Sequence, residues 1–204
     1  MITIVDYGMG NLRNVHRACR EIGVESLVTA DAAAVRNARW LILPGVGAFG
    51  EAVKRIESLG LRAPIMEHAA KGLPLLGICL GMQLLLESSE ESPGAQGLGL
   101  LKGTVRRLTG DVKIPHIGWN DVLPVTTTSL FPERNERPVA YFDHSFYVPE
   151  MPETVAVTEY GVRCSAAVQK DSLFGVQFHP EKSHVAGLNL LRRFAQIPPP
   201  GESA

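Results

Sequence analysis

Pro74-Leu-Leu-Gly77-Ile-Cys79-Leu-Gly81-Met-Gln-Leu-Leu-Leu86 is the stretch whose reading decides the fold. Its first half, Leu75 to Cys79, is a short apolar run of the kind that forms a strand buried on both faces, and its second half reads as a helix. Gly77 and Gly81 flank the cysteine and permit the sharp strand-to-helix turn of a nucleophile elbow, with cysteine in the place of serine. Such a turn holds the nucleophile in a strained conformation above the sheet. The amide that follows can serve an oxyanion hole, and the helix N-terminus favours a thiolate. A buried cysteine at an ordinary turn is the alternative, and the five-residue pattern alone weighs the two about equally.

Working outward to the N-terminus, Ile2 to Asp6 is a β-branched run, Gly8 and Gly10 make a turn, and Asn11 stands where a helix N-cap belongs. Leu12, Val15, Cys19 and Ile22 lay an apolar stripe along that helix, which Gly23 ends. Val24 to Ala30 reads as a strand, Asp31 as the cap of a short Ala-rich helix, and Trp40 to Leu43 as a further buried strand. Phe49, Val53, Ile56 and Leu59 resume the helical period. The first 90 or so residues thus alternate strand and helix with nearly unbroken apolar strands, which predicts a parallel sheet covered on both faces.

After Ser88 the pattern changes. Short strands are expected at Thr104 to Leu108, Val139 to Phe146, Thr154 to Tyr160, Cys164 to Gln169 and Leu173 to Phe178, close enough to pair antiparallel. Leu188, Leu191 and Phe194 mark a last helix over Val185 to Ala195. The prediction is an α/β, three-layer, doubly wound fold with a largely parallel central sheet and additional antiparallel strands in the C-terminal half. A single domain is expected over residues 1–197, followed by a disordered tail over 198–204.

The 204 residues are enough for one domain with a full core, and 45% hydrophobic and 20% charged residues fit a globular chain. Twenty Lys and Arg against 21 Asp and Glu give a formal charge of −1, without the basic excess that nucleic acid or an anionic membrane would require. The most apolar stretch, Leu73 to Leu86, is broken by Pro74, Gly77, Gly81 and Gln83 and is too short to span a bilayer. The N-terminus lacks the positive region of a secretory signal, so a cytoplasmic location is expected. Cys19, Cys79 and Cys164 form neither a CxxC pair nor an even set, so no disulfide framework and no metal or cofactor site is expected. Cys19 and Cys164 read as structural.

A thiol nucleophile needs a base. The candidate lies 100 residues downstream in Gly175-Val-Gln-Phe-His179-Pro-Glu181, at the end of an apolar strand. Two residues apart in extended chain, His179 and Glu181 project to one side, and Pro180 keeps the segment from turning helical. A carboxylate beside the imidazole orients the ring and stabilises the imidazolium formed when the thiol loses its proton. A lone histidine here would more often be structural; Glu181 reverses that weighting, and a Cys-His-Glu triad results. Gly45-Val-Gly47-Ala-Phe-Gly50 spells GxGxxG, but it follows the third strand, has Pro44 inside the turn and lacks the acidic ribose partner about 20 residues on. It reads instead as a tight loop whose amides approach a developing oxyanion near Cys79, provided the two strands are neighbours.

Pro44-Gly-Val-Gly47, Gly77-Ile-Cys-Leu-Gly-Met-Gln83 and Phe178-His-Pro-Glu181 together resemble the three signatures of the class I, triad-type glutamine amidotransferases. Asp6-Tyr-Gly-Met-Gly-Asn-Leu12, Pro115-His-Ile-Gly-Trp-Asn120 and His179-Pro-Glu-Lys-Ser183 are similar to the glutaminase subunits of imidazole glycerol phosphate synthases, which serve histidine biosynthesis. The resemblance runs from about residue 2 to residue 195. It implies that Cys79 attacks the side-chain amide of L-glutamine, His179 carries the proton and Glu181 orients His179. It further implies an oxyanion hole from the amides of Val46 or Gly47 and of Leu80, on a loop that rearranges before it is competent. Substrate contacts are implied at Gln83 and Glu91 and at the backbone around His144, Ser145 and Phe146. Read without the resemblance, Glu91 would be one of a solvated acidic group with Glu87 and Glu90.

Free ammonia is wasted unless it is made beside its consumer, and this chain is too short to hold a second active site. The resemblance supplies that consumer as a separate (β/α)8-barrel cyclase subunit in a heterodimer, with Asn11, Trp119 and Lys182 at the interface. Phe142-Asp-His-Ser-Phe146 departs from the family, which has an aliphatic residue, then His-Ser/Thr-Tyr. Two alternatives stand beside this reading: the glutaminase subunit of another ammonia-using synthase, which would lack DYGMGN and PHIGWN, and a non-catalytic regulatory subunit on the same fold.

Overall fold

Alternation of side chains along a strand sends every second residue to each face, so a strand that is apolar throughout needs a core on both sides. β1 (Ile2–Val5), β3 (Trp40–Gly45) and β4 (Leu75–Cys79) have that character, and two cores receive them. Ile2, Ile4, Ile42, Leu76 and Ile78 enter one core, and Val5, Leu41, Leu43 and Leu75 the other. The computed structural model describes residues 1–201. Between these strands come α1 (Leu12–Glu21), β2 (Ser26–Thr29), α2 (Ala32–Arg36), α3 (Phe49–Ser58) and α4 (Arg62–Ala70), with α5 (Leu80–Leu84) directly after β4. The C-terminal half adds β5 (Ser88–Ser89), β6 (Thr104–Arg107), β7 (His116–Asp121), β8 (Leu123–Pro124), β9 (Val139–His144), β10 (Phe146–Tyr147), β11 (Thr154–Tyr160), β12 (Val162–Lys170), β13 (Leu173–Val176) and α6 (His184–Ala195).

The expected α/β fold in three layers is present. One eight-stranded sheet runs β2-β1-β3-β4-β13-β12-β11-β8. It is parallel from β2 to β13 and antiparallel from β13 outward. α1 and α6 pack into one core through Val15, Cys19, Leu190, Leu191 and Phe194. α2, α3 and α4 pack into the other through Val35, Phe49, Ala52, Ile56 and Ile65. The step that matters for function is the pairing of β13 with β4, in which Val176 stands opposite Ile78. It brings two segments 100 residues apart to the same end of the sheet.

Several expectations are corrected. α4 was not foreseen, because Arg62-Ala-Pro-Ile-Met-Glu-His-Ala-Ala shows no clean apolar stripe; Pro64 is tolerated since it lies in the first turn, whose N–H groups have no helical partner. β7, also unforeseen, pairs antiparallel with β9 as a two-stranded ribbon. The single strand expected over Val139 to Phe146 is broken at Ser145: β9 pairs with β7, whereas β10 pairs with β6 in a separate sheet. Leu59, placed on the α3 stripe, is exposed just beyond the helix end. Asp31 does cap α2, accepting from the Ala34 amide at 2.7 Å. In the tail, Pro199 is buried and the Pro200 ring lies near Gly72; residues 202–204 lie outside the described residues. Among the described residues, no helix is long and apolar enough to cross a membrane.

Candidate active site

The turn at Cys79 has the strain expected of an elbow. Its backbone sits at φ 54 and ψ −110, a region that non-glycine residues avoid, and α5 begins at the next residue. The two small neighbours are required by close approach. A Cβ on Gly81 would run into the Leu43 carbonyl, and one on Gly77 would come within 2.6 Å of the Gly81 carbonyl oxygen. β3 and β4 are neighbours, with Gly45 opposite Cys79, so the Gly-rich loop that continues β3 emerges beside the thiol.

From the other neighbour, β13, the chain passes through Gln177 to His179 and a 3-10 turn at Pro180–Lys182. His179 Nδ1 lies 2.8 Å from Glu181 Oε1, and both side chains are almost fully buried, 2% and 1% exposed. The His179 amide donates to the Tyr141 carbonyl at 2.8 Å. Ser183 ties the turn down, its hydroxyl donating to the His179 carbonyl at 2.6 Å and accepting from the Tyr141 amide at 2.9 Å. Burial opposes a charge on His179, but the adjacent Cys79 sulfur, its hydrogen bond and Glu181 outweigh it and push the imidazole pKa up to about 10. The arrangement favours the charged imidazole. By contrast, burial pushes the Cys19 and Cys164 thiols up to about 11 and 12, in keeping with their structural reading.

Cys79 opens onto a cavity of about 370 Å³. Val46, Gly47, Leu80, Gln83, Glu91, His144, Ser145 and Phe146 all line it. All eight residues implied for the oxyanion hole and substrate are thus brought together with Cys79. Glu91 is not a merely solvated acid: its Oε2 accepts from the Phe49 amide at 2.7 Å and caps α3. Gln83 is buried, its amide nitrogen donating to the Phe146 carbonyl at 2.8 Å and to Gln177 Oε1 at 3.1 Å. The two departures from the family leave this geometry in place. Asp143 offers its carbonyl to the Cys79 thiol at 3.8 Å while its carboxylate sits 3.7 Å from Lys182 Nζ, and Phe146 contributes its carbonyl.

Asn11, Trp119 and Lys182 lie outside this cavity. Asn11 occupies the N-cap position of α1 without capping it; its amide nitrogen donates instead to Glu181 Oε1 at 3.1 Å, the oxygen that also faces His179. Trp119 is 48% exposed and stacks on His184, and Lys182 also sits over the Tyr141 ring. Sequence reasoning missed Gln177, whose amide nitrogen is 3.7 Å from Cys79 Sγ. The signal was there: in extended chain, 177 projects to the same side as 179. It also missed the buried Tyr7 hydroxyl, which would meet a Cβ placed on Gly45.

His144, in the cavity wall, and His116 behind it are both buried, and burial pushes His116 down to about 4 and His144 to about 3, from 6.5. Between pH 6.5 and 4 the unfolded chain therefore binds protons that the folded one refuses, so stability falls as pH falls through that window. Denaturant midpoints across it are expected to decline, and less steeply in His116→Phe; equal slopes would place these rings in solvent.

Residues 3–197 match the family model described as "Glutamine amidotransferase class-I". The chain is 48% identical over 198 residues to a Methanothermobacter thermautotrophicus protein named imidazole glycerol phosphate synthase subunit HisH, over 97% of this chain and 98% of that one. A protein of the same name from Oceanobacillus iheyensis is 45% identical over 199 residues, with 97% and 99% covered. Among solved structures, one titled as a glutamine amidotransferase superposes with a TM-score of 0.76 at 20% identity, covering 96% of this chain and 98% of that one. Another, PurLQS from Thermotoga maritima, gives 0.72 at 21% identity, with 95% and 96% covered. At these identities the structures speak for the fold alone.

Proposed function

The chain belongs to the class I glutamine amidotransferases, and from that premise we propose that it is the glutaminase subunit of an imidazole glycerol phosphate synthase. The observation that carries the chemistry is the meeting of the strained Cys79 with the buried His179–Glu181 pair at the ends of neighbouring strands β4 and β13. The acceptor is taken from the names of relatives that match over nearly their whole length.

In this reading the Cys79 thiolate attacks the carboxamide carbon of glutamine. The tetrahedral oxyanion forms against the amides of Leu80 and of Val46 or Gly47. His179, protonated at the outset, gives its proton to the departing ammonia, and Glu181, itself held by Asn11, keeps the ring facing the sulfur. A water deprotonated by His179 then attacks the glutamyl thioester, releasing glutamate and restoring the thiolate. Gln83, Glu91 and the backbone at His144 to Phe146 bind the substrate's charged end.

The partner is a (β/α)8-barrel cyclase, seated where Asn11, Trp119 and Lys182 lie. The β7–β9 ribbon supports that face: Ile117 and Val139 are 58% and 45% exposed beside Trp119, a concentration of apolar surface that fits a covered interface. The protein works in the cytoplasm, as residues 1–197 acting as one domain. The test is glutamate release from L-glutamine by the chain alone and with a barrel cyclase and its nucleotide ligand. Activity that appears only in the complex is expected. Full activity alone would make this a free-standing hydrolase, and none in either state would leave a subunit that does not hydrolyse glutamine.

A further inference from the structure

We propose that Asn120, His116 and His144 form a positioning relay for the glutamine-binding wall, in which two neutral imidazoles locked in one pair of tautomers hold the Phe146 carbonyl, and with it the Ser145 peptide, in place. The relay rests on the glutaminase reading above. Its starting point is the break between β9 and β10. There the chain leaves one sheet for another, and Ser145, which lines the cavity, lies in neither strand, its carbonyl accepting from the Leu108 amide at 2.9 Å just past β6.

The hydrogen bonds settle one another. His144 Nδ1 lies 2.9 Å from the Phe146 carbonyl, which can only accept, so Nδ1 carries the proton. In a neutral ring Nε2 is then an acceptor, and it faces His116 Nδ1 at 3.1 Å, which must donate. His116 Nε2 in turn accepts from the Asn120 amide nitrogen at 3.3 Å. The same nitrogen donates to the Glu159 carbonyl at 3.0 Å, and Asn120 Oδ1 accepts from the Asp121 amide at 2.8 Å. Every donor meets an acceptor. A proton added to either ring would set N–H against N–H.

The surroundings favour the neutral state. His116 is stacked between Tyr160 and Phe142, with ring centroids 3.9 and 4.8 Å away, and both imidazoles are buried. The titratable groups that face the pair are His179, whose positive charge opposes a second one on His144, and Tyr160, whose hydroxyl donates to the Lys113 carbonyl. Burial is the main cause that keeps both rings uncharged at neutral pH. At the working end, the Phe146 carbonyl is held by two donors, His144 Nδ1 and the Gln83 amide nitrogen. At the other end Asn120 sits on β7 next to the exposed Trp119, so the relay belongs to the ribbon and reaches the cavity at His144.

In the complex with the barrel partner, His116→Phe keeps a ring between Phe142 and Tyr160 but removes both hydrogen bonds. Its KM for glutamine is expected to rise about tenfold, with kcat changed by less than about threefold. His116→Asn, whose amide nitrogen reaches the place of Nδ1, should recover most of that loss. An unchanged KM in the phenylalanine variant, or an asparagine variant no better, would overturn the relay. Should neither variant fold, nitrogen-15 NMR of the wild-type protein at pH 7 decides: two neutral rings protonated at Nδ1 are expected, and a cation or an Nε2–H tautomer at either ring overturns the proposal. A wild-type complex that releases no glutamate would instead overturn the glutaminase reading on which the relay rests.

Discussion

Cys79→Ala is expected to lower glutamate release by about 10⁴-fold or more while the partner still binds. The size follows from the covalent route: without the sulfur there is no thioester, and water would have to attack a glutamine amide directly, with an imidazole left without the charge that made it an imidazolium. The other two thiols cannot substitute, being buried in the cores with their pKa values pushed up. Binding should persist because Cys79 lies beneath the surface, whereas the exposed Ile117, Trp119 and Val139 are on the ribbon. Glutamate assays and titration calorimetry on the same preparation check both halves. Retention of more than trace turnover would sink the triad assignment.

Gly81→Ala should destabilise the fold by about 4 kcal/mol or more and abolish activity in whatever folds. The added methyl has nowhere to go, since its neighbour is the Leu43 main-chain carbonyl of β3, held by the sheet on both sides, rather than the end of a flexible side chain. Relief would require β3 and the elbow to separate, which would also move the Gly-rich loop away from the thiol. Gly23→Ala provides the contrast: its backbone has positive φ, but a Cβ there meets nothing within 4 Å, so only the left-handed conformation is penalised, at about 1 kcal/mol. Denaturant midpoints at constant m distinguish the two. Similar losses would mean that the approach to Leu43 is slack.

What could be read from the sequence was what is encoded locally. Ile2 to Val5 and Leu75 to Cys79 are apolar at every or nearly every position, so their burial on both faces was legible, and so was the stripe of α1. The elbow and the His-Pro-Glu segment were legible because each carries its chemistry within a few residues. What could not be read depends on partners distant in sequence. The stretch 139–147 is continuous in pattern, and only the competing claims of β7 and β6 break it at Ser145. Asn11 has the composition of a helix cap, yet Glu181, 170 residues away, takes its amide. His116 was visible only as part of a motif, since the ring that sets its tautomer lies on another strand.

The order of strands in the sheet also governs when the chain becomes an enzyme during its synthesis. β1 to β4 emerge early and are parallel neighbours, but the strand that closes the free edge of β4, β13, is made after every other strand described, with His179 and Glu181 just behind it. Until then the nascent protein carries a thiol without its base, so a ribosome-bound fragment leaves the cell's glutamine intact. The same delay leaves the edge of a buried strand open through most of translation, and that edge is where a stalled or truncated product would join another copy.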